Sequence, residues 1–240
     1  MPGPVKVQGV ILRSLRYGEA DRILHLYTPQ HGKVGAIAKG VRRARSRFGG
    51  RMEPFFRLNL VLHEGRSELL TATAAETVDG YPRLREHGGA LDTAARACDA
   101  VSRLFDTSEP HPGVYNLLCN ELALLDSEPD RAGHANQLAF RLKLLLAAGL
   151  APQLAACASC GEREHLSGFS GAAGGVVCPA CEAGSFPLAQ EAHAFLVDAI
   201  GRPLAQTPPA DARHLRQAER AIGDTVEHHA GIRWRQAVER

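Results

Sequence analysis

Four of the six cysteines stand at a spacing that can do chemistry. Cys157-Ala-Ser-Cys160 and Cys178-Pro-Ala-Cys181 are separated by seventeen residues, which fits a four-thiolate zinc site. Each two-residue spacer lets a tight turn aim both thiolates at one ion, and two such turns complete a tetrahedron. Gly161, Gly168, Gly171 and Gly174-Gly175 provide the turns between them. Four sulfur donors leave no position for water or substrate, so the expected role is structural, with one zinc per chain. A redox dithiol is the weaker reading, because two paired motifs in one loop-rich segment favour a metal over exchange chemistry. Zinc deaminases need His-x-Glu upstream of Pro-Cys-x-x-Cys. Here the proline follows the first cysteine of the second pair and no His-x-Glu precedes it, so hydrolytic zinc chemistry is unsupported.

A second group is cationic. Between Arg22 and Met52 there is no acidic residue, while Lys33, Lys39, Arg42, Arg43, Arg45, Arg47 and Arg51 accumulate there. Residues 40–50 read as a mobile connection between two strands, whose guanidinium forks match phosphate oxygens. Phe48, together with Tyr27 or Phe55, offers a face for a base to stack upon. The competing reading is a solvated, charged loop. Position favours function, because the loops and one sheet face of an OB-like barrel are a usual nucleic-acid surface.

These residues need elements to hold them. Candidate strands are Val5–Leu15, Ile23–Tyr27, Val34–Ala38, Phe55–Leu62 and Glu68–Thr73, with Leu58, Leu60 and Leu62 alternating as a half-buried strand requires. Five short strands suggest a compact barrel, and the five-stranded OB-fold is the commonest solution, with a ligand-free β-barrel or sandwich as the alternative. After Gly80-Tyr81-Pro82 the period becomes helical: Ala94, Ala97, Cys98, Val101, Leu104 and Phe105, then Val114, Leu117, Leu118, Leu122 and Leu125, then Leu138, Leu142 and Leu145. Breaks are expected at Pro110–Gly113 and at Pro129, and Leu188–Ile200 and Leu215–His228 read as two further helices. Cys98 and Cys119 are expected to be small buried hydrophobes. The expected fold class is a multidomain α+β chain: a barrel over 1–80, an all-α helical domain over 81–154 and 185–240, and the four-cysteine zinc module inserted at 155–184.

With 240 residues, 45% hydrophobic and 22% charged, the chain can bury one core or a few smaller ones, which argues against disorder as its main state. A net charge of +2 hides an asymmetry: residues 1–80 hold 13 Lys and Arg against 7 Asp and Glu, net +6, and the remainder holds 15 against 19, net −4. No apolar leader follows Met1-Pro2-Gly3-Pro4, and the longest uncharged stretch, 144–161, is interrupted by Gly149, Pro152 and Gln153. A soluble cytoplasmic, nucleoid-associated protein is expected. Gly32-Lys33 lacks the glycine a phosphate loop requires, and neither Gly-x-Gly-x-x-Gly after a strand nor Gly-x-Ser-x-Gly occurs. No catalytic residue is therefore assigned.

In order along the chain, several segments resemble the bacterial recombination mediator family RecO. They are Gly18-Glu19-Ala20-Asp21-Arg22-Ile23-Leu24, Leu26-Tyr27-Thr28-Pro29, Gly32-Lys33 and Ala38-Lys39-Gly40-Val41-Arg42 near the start. In the middle are Phe140-Arg141-Leu142-Lys143-Leu144-Leu145, Gly149-Leu150-Ala151-Pro152, Cys157–Gly161, Gly174-Gly175 and Cys178–Cys181. Gly231-Ile232-Arg233-Trp234-Arg235 is loosely similar to the family's basic ending. The resemblance implies an N-terminal OB-fold, a helical domain and an inserted zinc module. It implies a non-enzymatic job in DNA repair and recombination: binding single- and double-stranded DNA and annealing complementary strands without ATP. It also implies action with RecR and RecF to place RecA on DNA coated by single-stranded DNA-binding protein. That protein's C-terminal tail is implied to dock on the helical domain, with Arg141 or Lys143 as candidates. The alternative, from another class, is a zinc-ribbon adaptor or transcription regulator working through protein–protein contacts.

Overall fold

The computed structural model describes residues 3–64 and 69–234. Five strands are built from period-two segments: β1 (Val5–Tyr17), β2 (Asp21–Thr28), β3 (Gly32–Ala38), β4 (Arg57–His63) and β5 (Leu70–Asp79). Glu68, the expected start of the fifth strand, lies outside the described residues, as does Arg235. The strands close into a barrel in the order β1-β2-β3-β5-β4, with β1 pairing back onto β4 and β3 running parallel to β5. This is the OB-fold arrangement expected from the sequence.

The alternation on β4 holds, since Leu58, Leu60 and Leu62 all point into the barrel and are fully buried. They meet Val7 and Ile11 of β1, Leu24 and Leu26 of β2, Ala36 and Ala38 of β3 and Ala72 of β5. Long β1 serves two neighbours because its register shifts between Ile11 and Arg13, a bulge that bends the strand and exchanges its two faces.

Helices begin where the period changes: α1 (Pro82–Glu86), α2 (Gly88–Leu104) and α3 (Pro112–Ser127). The Pro110–Gly113 break becomes the start of α3, with Pro112 in the first turn, where a missing N–H costs nothing. The chain divides into two compact units, Met1–Pro129 and Asp130–Arg240, so these three helices share a unit with the barrel. Phe105 packs edge-on to Tyr27 at 6.4 Å, the Lys33 amide donates to the Thr107 carbonyl at 3.0 Å, and the Tyr115 hydroxyl donates to Gln8 at 3.0 Å. Gly32 is required here: its φ is +54°, and a Cβ would strike the Glu109 carbonyl. An apolar stripe marks a helix for burial without naming its partner.

The second unit contains α4 (His134–Ala147), α5 (Gln190–Gly201) and α6 (Ala212–Ala230), which pack on one another. Leu138, Leu142 and Leu145 form the buried face of α4, and Leu215, Ala218, Ala221, Ile222, Thr225 and Val226 that of α6. Between α4 and α5 lies a small sheet, β6 (Gly168–Ser170), β7 (Gly175–Val177) and β8 (Phe186–Pro187), in the order β7-β6-β8. It is tied to α6 in two ways. The Gly171 amide donates to Asp224 at 2.6 Å, and the Arg220 guanidinium lies 4.0 Å from the centre of the Phe186 ring. No helix among the described residues is long and apolar enough to cross a membrane.

Candidate nucleic-acid interface and metal centre

The four cysteines converge as their spacing demands. The first pair sits in a turn closed by the Gly161 amide donating to the Cys157 carbonyl at 2.9 Å, with Gly161 at φ +81°. The second pair follows β7 directly, and the Cys181 amide donates to the Cys178 carbonyl at 2.9 Å. The Ala158 amide donates to the Val176 carbonyl at 2.8 Å, which ties the first turn to the strand that delivers the second. All four sulfurs lie within 4.8 Å of one another, and Cys160 and Cys178 are 3.7 Å apart. Four sulfurs in a tetrahedron about 2.3 Å from a zinc ion stand roughly 3.8 Å apart, so the quartet fits a metal of that size. The backbone N–H of Cys178 helps to stabilise the Cys157 thiolate, lowering its pKa to about 6. Crowding acts oppositely on Cys181, whose hydrogen bond with Cys160 and burial push it up to about 12. A cation would relieve that conflict by taking four thiolates at once.

The basic segment between β3 and β4 is a series of turns tied to the barrel by backbone hydrogen bonds. The Gly40 amide donates to the Asp21 carboxylate at 2.8 Å, and the Arg42 amide donates to the Ala20 carbonyl at 3.0 Å. Successive turns follow from Arg43 onto Gly40, Ser46 onto Arg43 and Gly49 onto Ser46. The far end is held by the Arg22–Glu53 ion pair at 2.6 Å and by the Phe55 amide donating to the Ile11 carbonyl at 2.8 Å. Apolar residues spaced through the segment explain the order: Val41, Phe48 and Met52 insert into the barrel core.

This folding sorts the eight residues expected to meet DNA. Lys39, Arg42, Arg43, Arg45 and Arg47 are exposed. Lys33 and Arg51 are half-buried and donate to backbone carbonyls, Lys33 to Ser102 at 2.9 Å and Arg51 to Ala75 at 3.0 Å. Phe48 is 1% exposed, with the Arg47 guanidinium 5.0 Å from its ring centre, so the ring offers no face to a base. Tyr27 and Phe55 are buried as well. The stacking expectation is thus corrected: the rings plug the barrel because burial outweighs what a solvated aromatic would gain. Phe48→Ala should destabilise the first unit by about 3–5 kcal/mol. Denaturant melts check this; an unchanged midpoint would show that the segment does not rest on that ring.

Sequence reading passed over basic residues outside the run. Arg13 and Arg16 are exposed on β1, and His25 lies opposite Arg13 on β2. Burial, and then the charges of Lys33 and Arg13, lower the His25 pKa, which keeps the ring neutral at neutral pH. No local signal finds them, because the bulge turns Arg13 to the outer face beside His25 and leaves Arg16 on the face of Ser14.

A cavity of about 670 Å³ in the second unit is lined by Arg141, Arg216, Arg220, Arg233 and Trp234, with Glu219, Asp224 and Glu227 among them. Arg141 pairs with Glu219 at 3.4 Å and stands 5.7 Å from the Trp234 ring centre. Lys143 instead donates to the Ile200 carbonyl at 2.9 Å, and burial lowers its pKa.

Comparison with known proteins covers both units. Residues 1–81 match the family model "Recombination protein O N terminal", and residues 86–237 match "Recombination protein O C terminal". A "DNA repair protein RecO" of Anaeromyxobacter dehalogenans is 38% identical over 237 residues, covering 95% of this chain and 92% of that one. Another so named, from Rubrobacter xylanophilus, is 38% identical over 228 residues, covering 92% and 89%. A third, from Bifidobacterium adolescentis, is 43% identical over 181 residues, covering 72% of each.

Proposed function

The chain belongs to the RecO family of non-catalytic DNA repair and recombination mediators, and on that footing we propose that it anneals complementary DNA strands without ATP. The observation that carries this reading is the folded basic segment, which holds Lys39, Arg42, Arg43, Arg45 and Arg47 at the surface of an OB barrel. Annealing breaks no bond. It requires two polyanions to approach closely enough for their bases to find each other. Arginines fixed on a rigid barrel neutralise phosphates and release counterions, which lowers the repulsion between strands. Contacts to the backbone leave the base edges free, so pairing supplies the sequence specificity.

The same reading assigns the remaining parts. The barrel over 1–80 binds single- and double-stranded DNA, and the helical parts over 81–154 and 185–240 meet protein partners. The metal bound by Cys157, Cys160, Cys178 and Cys181 is zinc, the ion suited to a closed set of four sulfurs. When bound, it cross-links two turns and performs no chemistry on substrate. The acidic tail of single-stranded DNA-binding protein docks in the cavity bearing Arg141 and Trp234, which combines cationic groups with an aromatic wall. In cells the protein acts with RecR and RecF to help RecA onto coated DNA.

An annealing assay tests this directly. With complementary oligonucleotides and neither ATP nor divalent metal, the wild-type protein should speed duplex formation. A variant carrying Arg42→Ala, Arg43→Ala, Arg45→Ala and Arg47→Ala should lose most of that acceleration. Equal rates with and without wild-type protein would refute the reading.

A further inference from the structure

With Phe48, Tyr27 and Phe55 buried, the basic segment has no aromatic partner of its own. One lies beside it. Tyr17, the last residue of β1, is 53% exposed, the most exposed large hydrophobic side chain among the described residues. The β1 bulge puts it there. After the register shift, Arg13, Leu15 and Tyr17 share the outer face of the sheet, opposite His25, Ile23 and Asp21 of β2. On β3, Gly35 and Ile37 continue the rows of His25 and Ile23.

Leu69 closes one end of this face, since a Cβ on Gly35 would come within 2.7 Å of its side chain. At the other end the row Leu15, Ile23 and Ile37 stays open as an apolar floor crossing three strands, with Tyr17 at its rim. The arginine segment is fastened to the same rim. Its Gly40 amide is held by Asp21, the cross-strand partner of Tyr17, and its Arg42 amide by Ala20 in the adjoining turn.

We propose that Tyr17 is the base-stacking residue of this surface: a base of single-stranded DNA lies on its ring, over the floor of Leu15, Ile23 and Ile37, while the arginine segment holds the adjoining phosphates. The proposal rests on the DNA-binding reading above and deepens it. Charge selects the occupant. The open face is flanked by the exposed Arg13, Lys39, Arg42 and Arg43, against one exposed carboxylate, Glu19, in the adjoining turn, so a polyanion is favoured over a neutral or basic protein surface. Geometry selects the strandedness, because bases in a duplex are stacked on each other while those of a single strand have free faces. A tyrosine ring takes any base, which suits an annealing protein that must leave sequence to pairing.

The test compares a thymidine oligonucleotide with an abasic strand of equal length, which keeps the phosphates and removes the bases. The wild-type protein should prefer the base-bearing strand by about 5- to 150-fold, the range one stacked base provides. Tyr17→Ala should abolish most of that preference, leaving affinity for the abasic strand and the salt dependence unchanged, and Tyr17→Phe should retain it. A preference undiminished in Tyr17→Ala overturns the proposal. If the fourfold arginine variant weakens binding while Tyr17→Ala does not, only this inference falls; if wild-type protein binds no single strand, the DNA-binding reading falls with it. Photo-crosslinking of wild-type protein with a 5-iododeoxyuridine oligonucleotide gives a second readout that needs no variant. The crosslink should map to the peptide containing Tyr17, and crosslinks confined to other peptides overturn the proposal.

Discussion

Removing the metal from the cysteine quartet should unfold the segment around residues 157–185 while α4, α5 and α6 stay packed. The reason is the size of its own core. Around the quartet, Cys157, Val177 and Cys178 are buried with Leu166, Ala173 and Cys181 packed against them, while Phe169 and Val176 are the large apolar side chains buried in β6 and β7. That small set of apolar side chains does not by itself offset the ordering of two cysteine turns and the loops between them, at roughly 1–2 kcal/mol per residue for backbone alone. A structural zinc site is worth on the order of 10–16 kcal/mol in small peptides at neutral pH, enough to close the gap. Cys178→Ser, which leaves three thiolates, should act in the same direction. Hydrogen exchange reads the outcome: amides of Ala158, Gly161, Val176 and Cys181 should lose protection on chelation, while those in α4 keep theirs. The Gly171 amide, bound by Asp224, should report whether the disturbance reaches α6. Unchanged protection after complete metal loss would show that the turns hold themselves.

Changing Arg42, Arg43, Arg45 and Arg47 together to Ala should have the other large effect. Each arginine that neutralises one phosphate of a single strand contributes a slope of about −0.7 in log affinity against log salt. Four lost contacts then correspond to a loss of roughly 10³-fold or more in affinity at 50 mM salt. Stability should barely move, because all four side chains are exposed and the segment is held by Val41, Phe48, Met52 and its backbone bonds. A matched change at Lys33 and Arg51 should behave differently. Their cationic groups hold the Ser102 and Ala75 carbonyls, so their loss should lower the melting temperature more than DNA affinity.

Local periodicity and spacing made much of this molecule legible. Leu58, Leu60 and Leu62 announced a strand because a pleat has a period of two, and Cys157–Cys181 announced a metal centre because tight turns dictate ligand spacing. What stayed hidden depends on contacts between distant residues. Phe48 sits in an arginine run, and nothing local to that run shows the segment folding back over Ile11 and Leu58. Tyr17 was passed over because a bulge changes which side of a strand faces out, and a bulge has no fixed residue signature. The helices at 82–127 read correctly as helices, but Phe105 and Tyr115 meet Tyr27 and Gln8 of the barrel, partners that no apolar stripe encodes.

The most direct test of the central claim is a salt series of single-stranded DNA affinity for the wild-type protein and the fourfold arginine variant. Wild-type log affinity should fall linearly with log salt, and the variant's slope should be shallower by up to about 3, the sum of four contacts. Identical affinities and slopes would contradict the assignment of this surface to DNA and favour a zinc-ribbon adaptor that works through protein contacts.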